Sequence, residues 1–312
     1  MLRIITAGPF CTLQGHPRRG QKKFGIPESG PADAVSMALA NRLVGSPAYA
    51  TCIEITLGGF EAEAESALSI ALTGAEGAAT LNGVPCDYHR TLFLKKGDLL
   101  IVRPPKFGAR TYLAIGGQIQ ADTAFQSTST YVLGGFGGYG GRKLEPNDTL
   151  TVDRDIRLTT DAALTTPQHL RPFIGAATLL RTLQLDADVP LSASDALFGG
   201  DASIASNSDR TGVRLQNLTL SLEHDGLMRS APVAAGIVQC PPDGAPIILG
   251  PDAQTTGGYP RIACVIRSDR HLIGQLAPNA RVRFVTCAPE EAVAILKQKT
   301  DLIRTWVPDF SF

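Results

Sequence analysis

A mainly β protein of two subdomains, with few helices, is what this sequence predicts, and three observations carry the prediction. Short apolar runs separated by turn residues recur in both halves. Glycine (32) and proline (21) together make up about a sixth of the chain, while hydrophobic residues stay at 44%, so the excess marks turns rather than disorder, average proteins holding ~12% of the two. The length of 312 residues is about twice that of a common single domain.

Taken in order, Leu2–Ile5 reads as a first strand, and Gly15, Pro17, Gly20, Gly25, Pro27, Gly30 and Pro31 then mark a long ordered loop of the kind that is functional when it persists. Met37, Ala40, Leu43 and Val44 recur at helical spacing, with Pro31 suited to a first turn and Gly45 and Pro47 as the stop. Strands follow at Ile53–Leu57, Leu68–Leu72, Ala79–Leu81, Leu92–Leu94, Leu99–Val102 and Thr111–Ile115. Asn82-Gly83 between Leu81 and Val84 is a type I′ hairpin signal. The second half repeats the style at Leu215–Leu222, Pro246–Leu249, Ile262–Ile266 and Arg281–Val285. A C-terminal helix begins at Pro289, with Glu290 and Glu291 at its start and Lys297 and Lys299 toward its end, and its apolar side is expected to dock on a sheet. Residues 157–172 lack strand periodicity, so the boundary is placed there, giving a first subdomain 1–160 and a second 161–312.

Twenty-nine basic side chains balance 29 acidic ones, which removes the electrostatic footprint of a nucleic-acid or anionic-membrane binder. The expected partners are proteins and small molecules. The chain has no apolar run near 20 residues and no signal-peptide pattern at Met1–Gly8, and it reads as soluble and cytoplasmic. Six scattered cysteines, without a C-x-x-C pair, and five dispersed histidines give no metal-ligand spacing, and the cysteines read as buried small hydrophobes.

Gly135, Gly137 and Gly140 satisfy G-x-G-x-x-G, but Pro146-Asn147 forbids the helix that a pyrophosphate site needs. The segment is instead a glycine-rich turn that lets another backbone approach closely. No P-loop, G-x-S-x-G or H-E-x-x-H occurs. Three polar stretches remain. Asp209, Arg210 and Arg214 precede a strand and form either an internal ion pair or a fork for an anionic substrate. Of the two arginines, Arg210 is expected to be free to reach a cleft and Arg214 to lie against the sheet beside a buried acid.

Asp252, Gln254, Thr255, Thr256, Gly257, Gly258 and Tyr259 form a dense hydrogen-bonding connection suited to a carboxylate, amide or ureido group. Ser29, Gly30 and Asp33 end at a helix start, where an anion site and ordinary capping by Ser29 or Asp33 are equally compatible. Asp252, Gln254 and Asp209 are the catalytic candidates; Arg210, Thr255–Tyr259, Ser29, Gly30 and Asp33 are the binding candidates. Alternation places Glu54 on the wet face of its strand. His16, beside Pro17-Arg18-Arg19, lies in a solvated basic loop; His89, His169, His224 and His271 have no partner at a recognisable spacing, and Trp306 is a packing anchor.

Six blocks in order, Gly25–Asp33, Ala40–Gly45, Glu54–Gly59, Ser129–Tyr131 with Gly134–Gly138, Ser208–Leu215 and Gln239–Pro260, resemble the biotin-dependent carboxyltransferase family. This family is also called allophanate hydrolase subunit 2-like and includes the C component of bacterial 5-oxoprolinase, the group that the chain resembles most. The resemblance implies two cyclophilin-like, β-barrel-like subdomains. It also implies a heteromeric complex with a companion of the same superfamily, similar to the B component of 5-oxoprolinase, and with a lactam-utilisation protein. The implied activity is hydrolysis of the 5-oxoproline lactam to glutamate by the complex, which uses ATP, the chain alone being inactive. Two alternatives stay open: transfer of a carboxyl group from carboxybiotin on a separate carrier to urea or a similar amide, and a regulatory role as antagonist of a kinase inhibitor. The chain has no Met-Lys-Met and so is not its own biotin carrier, and its polar loops are expected to line a cleft between the subdomains or against the partner. Gln14–Gly20 departs from the family's acidic loop, carrying no carboxylate.

Overall fold

A computed structural model describes residues 1–153, 163–185, 191–222 and 228–312. The boundary expected at 160 lies outside the described residues, as does His224. The chain divides into two compact units: Met1–Arg18, Ser29–Ile174 and Asp301–Ser311 form one, and Arg19–Glu28 with Gly175–Thr300 and Phe312 form the other.

In the first unit a six-stranded sheet (Thr149–Leu150, Leu2–Ala7, Phe60–Ala64, Leu99–Pro105, Gly77–Leu81, Val84–Pro85) accompanies a five-stranded one (Phe10–Gln14, Cys52–Thr56, Arg110–Ile115, Leu68–Gly74, Thr91–Leu94). Ile4, Phe60 and Leu100 of the first sheet and Leu13, Ile53, Ile55, Ile70 and Leu113 of the second share one buried core. Helix α1 (Ala34–Leu43) covers the other face of the five-stranded sheet, setting Met37, Ala40 and Leu43 against Cys52, Ala71, Tyr112 and Ala114. That sheet is therefore buried on both faces, and period-2 alternation sends Ile53 and Ile55 into the sandwich while Cys52 and Glu54 turn toward the helix. Glu54 is fully buried, which corrects its expected place on a wet face. Phe10–Gln14 and Phe60–Ala64 are among the strands that the sequence pattern does not predict. The hairpin at Asn82-Gly83 forms as expected, both residues in the left-handed region and Leu81 paired with Val84.

The second unit is a closed barrel of seven strands in the order Ala177–Gln184, Arg261–Val265, Ile237–Gln239, Ile247–Leu249, Gly212–Gln216, Ala202–Ile204, Arg281–Thr286. The first and last run parallel and close it. Leu180, Val213, Val238, Ile248, Ile262 and Phe284 fill the interior, joined by Leu197 of helix α2 (Leu191–Gly199) and by Ile273 of helix α3 (Arg270–Ile273). The strand expected at Leu215–Leu222 runs instead from Gly212 to Gln216 and ends at Asn217, which is left-handed.

Helix α4 (Pro289–Arg304) forms where expected, with Glu290 and Glu291 in its first turn, and its apolar stripe Ala292, Ile295 and Leu296 is half-buried. Ile303 is its one buried residue and Val293 is 68% exposed. Polar contacts tether it: Lys299 Nζ donates to the Ser268 carbonyl at 3.1 Å and to His271 Nε2 at 3.1 Å. Beyond the helix, Trp306 packs beside α1 as the expected anchor, and its carbonyl accepts from Arg42 Nε at 2.8 Å. Among the described residues no helix is long and apolar enough to cross a membrane.

Candidate functional site

The loop that carries Ser29, Gly30 and Asp33 is fastened to the five-stranded sheet by a buried carboxylate. Glu54 Oε2 accepts from the Ala32 amide at 2.9 Å and from the Tyr112 hydroxyl at 2.7 Å, while Arg110 Nε stands 3.4 Å from Oε1. The Tyr112 oxygen in turn accepts from the Asp33 amide at 2.7 Å. Burial, and then the charge of Glu54, hold the Tyr112 phenol well above its ordinary range, so it remains a donor.

Asp33 is the N-cap of α1: Oδ1 accepts from the Ser36 amide at 2.9 Å and Oδ2 from the Ser36 hydroxyl at 2.6 Å. Capping therefore prevails over an anion site at this helix start, and the helix begins at Ala34 rather than at Pro31. Ser29 is the strained residue of the loop, with φ at 52° and its hydroxyl buried without a partner among the described residues. Gly30 follows at φ 85°, and a side chain there would come within 2.7 Å of Pro17.

Arg18 is fully buried, its Nε donating to the Ala124 carbonyl at 3.2 Å, its Nη2 to the Ser129 carbonyl, and its face lying 4.9 Å from the Phe136 ring. His16 and Arg19 are exposed, as expected of a solvated basic loop, and Arg18 is the residue that departs from that expectation. Its partners flank the glycine-rich segment, where a side chain at Gly137 would collide with both the Ser129 carbonyl and Arg18. Close backbone approach is thus the use of that segment. Among the described residues no α-helix opens directly after it, so it lacks the helix N-terminus that a G-x-G-x-x-G pyrophosphate site needs.

In the second unit Arg210 and Asp252 face each other. Nε meets Oδ2 at 2.7 Å, Nη2 meets Oδ1 at 3.2 Å, and the Asp252 amide donates to the Arg210 carbonyl at 3.0 Å. Arg210 is 5% exposed and Asp252 8%. Arg210 is therefore held in the interior rather than free to reach a cleft, and it is Arg214 that is exposed. Asp209 closes a turn, its Oδ1 accepting from the Thr211 and Gly212 amides at 2.8 and 3.0 Å.

The groups that remain available are Gln254, Thr256 and Tyr259, all exposed, while Thr255 is buried. Gln254 Nε2 donates to Gln239 Oε1 at 3.3 Å, and a side chain at Gly257 would come within 2.8 Å of Gln239 Nε2. Thr256–Gly257 pairs with Ala231–Pro232, and the Gly258 carbonyl accepts from Met228. The structure thus brings Asp252 to Arg210, and Gln254, Gly257 and Tyr259 to Gln239, but Ser29, Gly30 and Asp33 belong to the other unit. Gln239, Tyr112 and Arg110 are not among the expected site residues: Gln239 ends one strand at the edge of the block Gln239–Pro260, Arg110 begins another, and Tyr112 lies within that second strand with no motif around it. Burial raises the thiols of Cys11, Cys52 and Cys240, the last to about 11, so they stay protonated and unreactive.

A family model described as carboxyltransferase domain, subdomain A and B, matches residues 24–286. The chain belongs to this carboxyltransferase family. It is 36% identical over 295 residues to the C component of 5-oxoprolinase from Escherichia coli, covering 94% of this chain and 93% of that protein. Identity to the C component of 5-oxoprolinase from Haemophilus influenzae is 32% over 302 residues, covering 97% and 96%. Identity to urea amidolyase of Lachancea kluyveri is 28% over 332 residues, 97% of this chain but 18% of that protein. The crystal structure of urea amidolyase from K. lactis superposes with a TM-score of 0.86 at 25% identity, over 98% of this chain and 20% of that one. As a carboxyltransferase-family chain, it offers amide-type donors and acceptors on fixed loops, with the charged pair Arg210–Asp252 holding one of them in place.

Proposed function

We propose that this chain is the C-type component of an assembly that opens the lactam of 5-oxoproline to glutamate in an ATP-dependent reaction. The observation that carries the reading is the 36% identity to the C component of a 5-oxoprolinase along nearly its whole length, against 28–29% for urea amidolyases. The chemistry asked of this chain is recognition of a small cyclic amide. Gln254, Thr256 and Tyr259 present side-chain donors and acceptors, and Gln239 orients Gln254. The Ser29 hydroxyl, in the first unit, is a further candidate for a polar contact. Arg210, Asp252, Asp209, Gly30 and Asp33 are positioning residues in this reading, and Thr255, Gly257 and Gly258 supply backbone. A B-type component and a lactam-utilisation protein are the proposed partners, with the ATP site on one of them.

Carboxyl transfer from a separate biotin carrier to an amide such as urea is the second reading, favoured by the TM-score of 0.86 to a urea amidolyase. A cell deleted for the gene separates the two. The lactam reading expects 5-oxoproline to accumulate and to fail as a nitrogen source while urea use is unimpaired; loss of urea use alone would overturn it.

A further inference from the structure

Within the first unit, a hollow of about 430 Å³ opens beside the glycine-rich segment, a size that falls in the range of small-molecule sites. None of the residues assigned above lines it. One wall is Asp122, whose amide donates to the Gly138 carbonyl at 2.8 Å, whose carbonyl accepts from Gly138 at 3.0 Å, and whose Oδ2 accepts from the Gly140 amide at 2.9 Å. The carboxylate is therefore fixed, yet Oδ1 has no hydrogen-bond donor among the described residues. Another wall is Arg142. Its Nη1 and Nη2 fork onto Asp148 at 2.7 Å each, and its face lies 4.9 Å from the Tyr139 ring. Asp148 is held by the Glu145 amide at 2.8 Å, so the guanidinium is clamped rather than swinging.

Gly140 adopts φ +61°, and a side chain built there would meet nothing within 4 Å. The left-handed backbone at the wall of the hollow thus faces open space, a conformation that glycine adopts without strain. Thr149 and Thr151 add hydroxyls.

We propose that this hollow binds a compact ligand carrying amide or ureido N–H donors together with a carbonyl or carboxylate acceptor. Asp122 Oδ1 takes the N–H group; the Arg142 guanidinium and the threonine hydroxyls face the acceptor. A polyanion is disfavoured, because Asp122 repels it and the charge of Arg142 is already matched by Asp148. A large apolar ligand is disfavoured by the polar walls. Because the walls are fixed before binding, little ordering is needed on association. The site does not depend on the lactam reading, since its occupancy is measured on the chain alone.

The test is isothermal titration calorimetry of the full chain with 5-oxoproline, urea and glutamate in turn. Saturable binding of at least one, with a Kd of about 1 mM or tighter, is expected. Asp122→Asn keeps an acceptor for Gly140 but removes the charge, and should weaken binding about tenfold; Thr151→Val, a surface change, should weaken it about threefold. The melting temperature of both should be unchanged. Absence of binding to all three probes, or binding that both variants leave intact, overturns the assignment.

Discussion

Replacing Asp252 with alanine removes a carboxylate that is forked onto a guanidinium only 5% exposed. Arg210 then loses the carboxylate oxygens that stand 2.7 Å from its Nε and 3.2 Å from its Nη2. Losing charge-assisted hydrogen bonds inside a buried site costs about 2–3 kcal/mol. For a body of the size of the second unit, each kcal/mol lowers the melting temperature by roughly 2–4 °C, so the transition of that unit should fall by about 7 °C. Arg214→Ala is the matched control, an exposed change expected to stay within about 0.5 kcal/mol. Differential scanning calorimetry reads both variants. An Asp252→Ala protein that melts within about 2 °C of wild type, while the assembly loses turnover, would refute the structural role and return the carboxylate to the reaction.

Ser29→Gly relieves the φ of 52° and removes a buried hydroxyl with no described partner. Stability should rise by about 1 kcal/mol while turnover of the assembly falls; a stabilised variant with full turnover would make Ser29 merely strained. Tyr112→Phe deletes a donor to Glu54 and an acceptor for the Asp33 amide, and urea denaturation should show a loss of about 2–4 kcal/mol; under about 1 kcal/mol, the loop is not held as described. His89, buried first of all and then faced by Arg171, is pushed down to about 4, and Glu76 lies 3.7 Å from its Nε2. The unfolded chain therefore takes up a proton before the folded one does, so stability is flat above about pH 6.5 and falls by about 3 kcal/mol toward pH 4. His89→Asn, which tolerates the φ of 58°, should flatten that fall in part, His271 being lowered in the same direction by burial and Lys299; an unchanged slope contradicts the assignment.

What could be read from the chain followed from how local each determinant is. Asn82-Gly83 specifies its hairpin within two residues, and the stripe Met37, Ala40, Leu43 specifies α1 within three turns. Phe60–Ala64 escaped notice because its inward positions include two alanines, too weak a signal for alternation to register. Glu54 was misplaced because alternation reports which face a side chain takes, not what covers that face, and the cover is α1, from an earlier stretch of chain. The same limit exchanged Arg210 and Arg214. Alternation does turn Arg214 away from Val213, but in a closed barrel that direction is outward, and the carboxylate that Arg210 meets stands 42 residues away with no spacing to announce it.

The central claim, that this chain is a working part of a lactam-opening assembly, is met most directly by following labelled 5-oxoproline by NMR in a reconstitution of the chain with a B-type component and a lactam-utilisation protein. With ATP present, glutamate should appear only when all components are combined, and the chain alone should be silent. Undiminished conversion when the chain is left out would contradict the account.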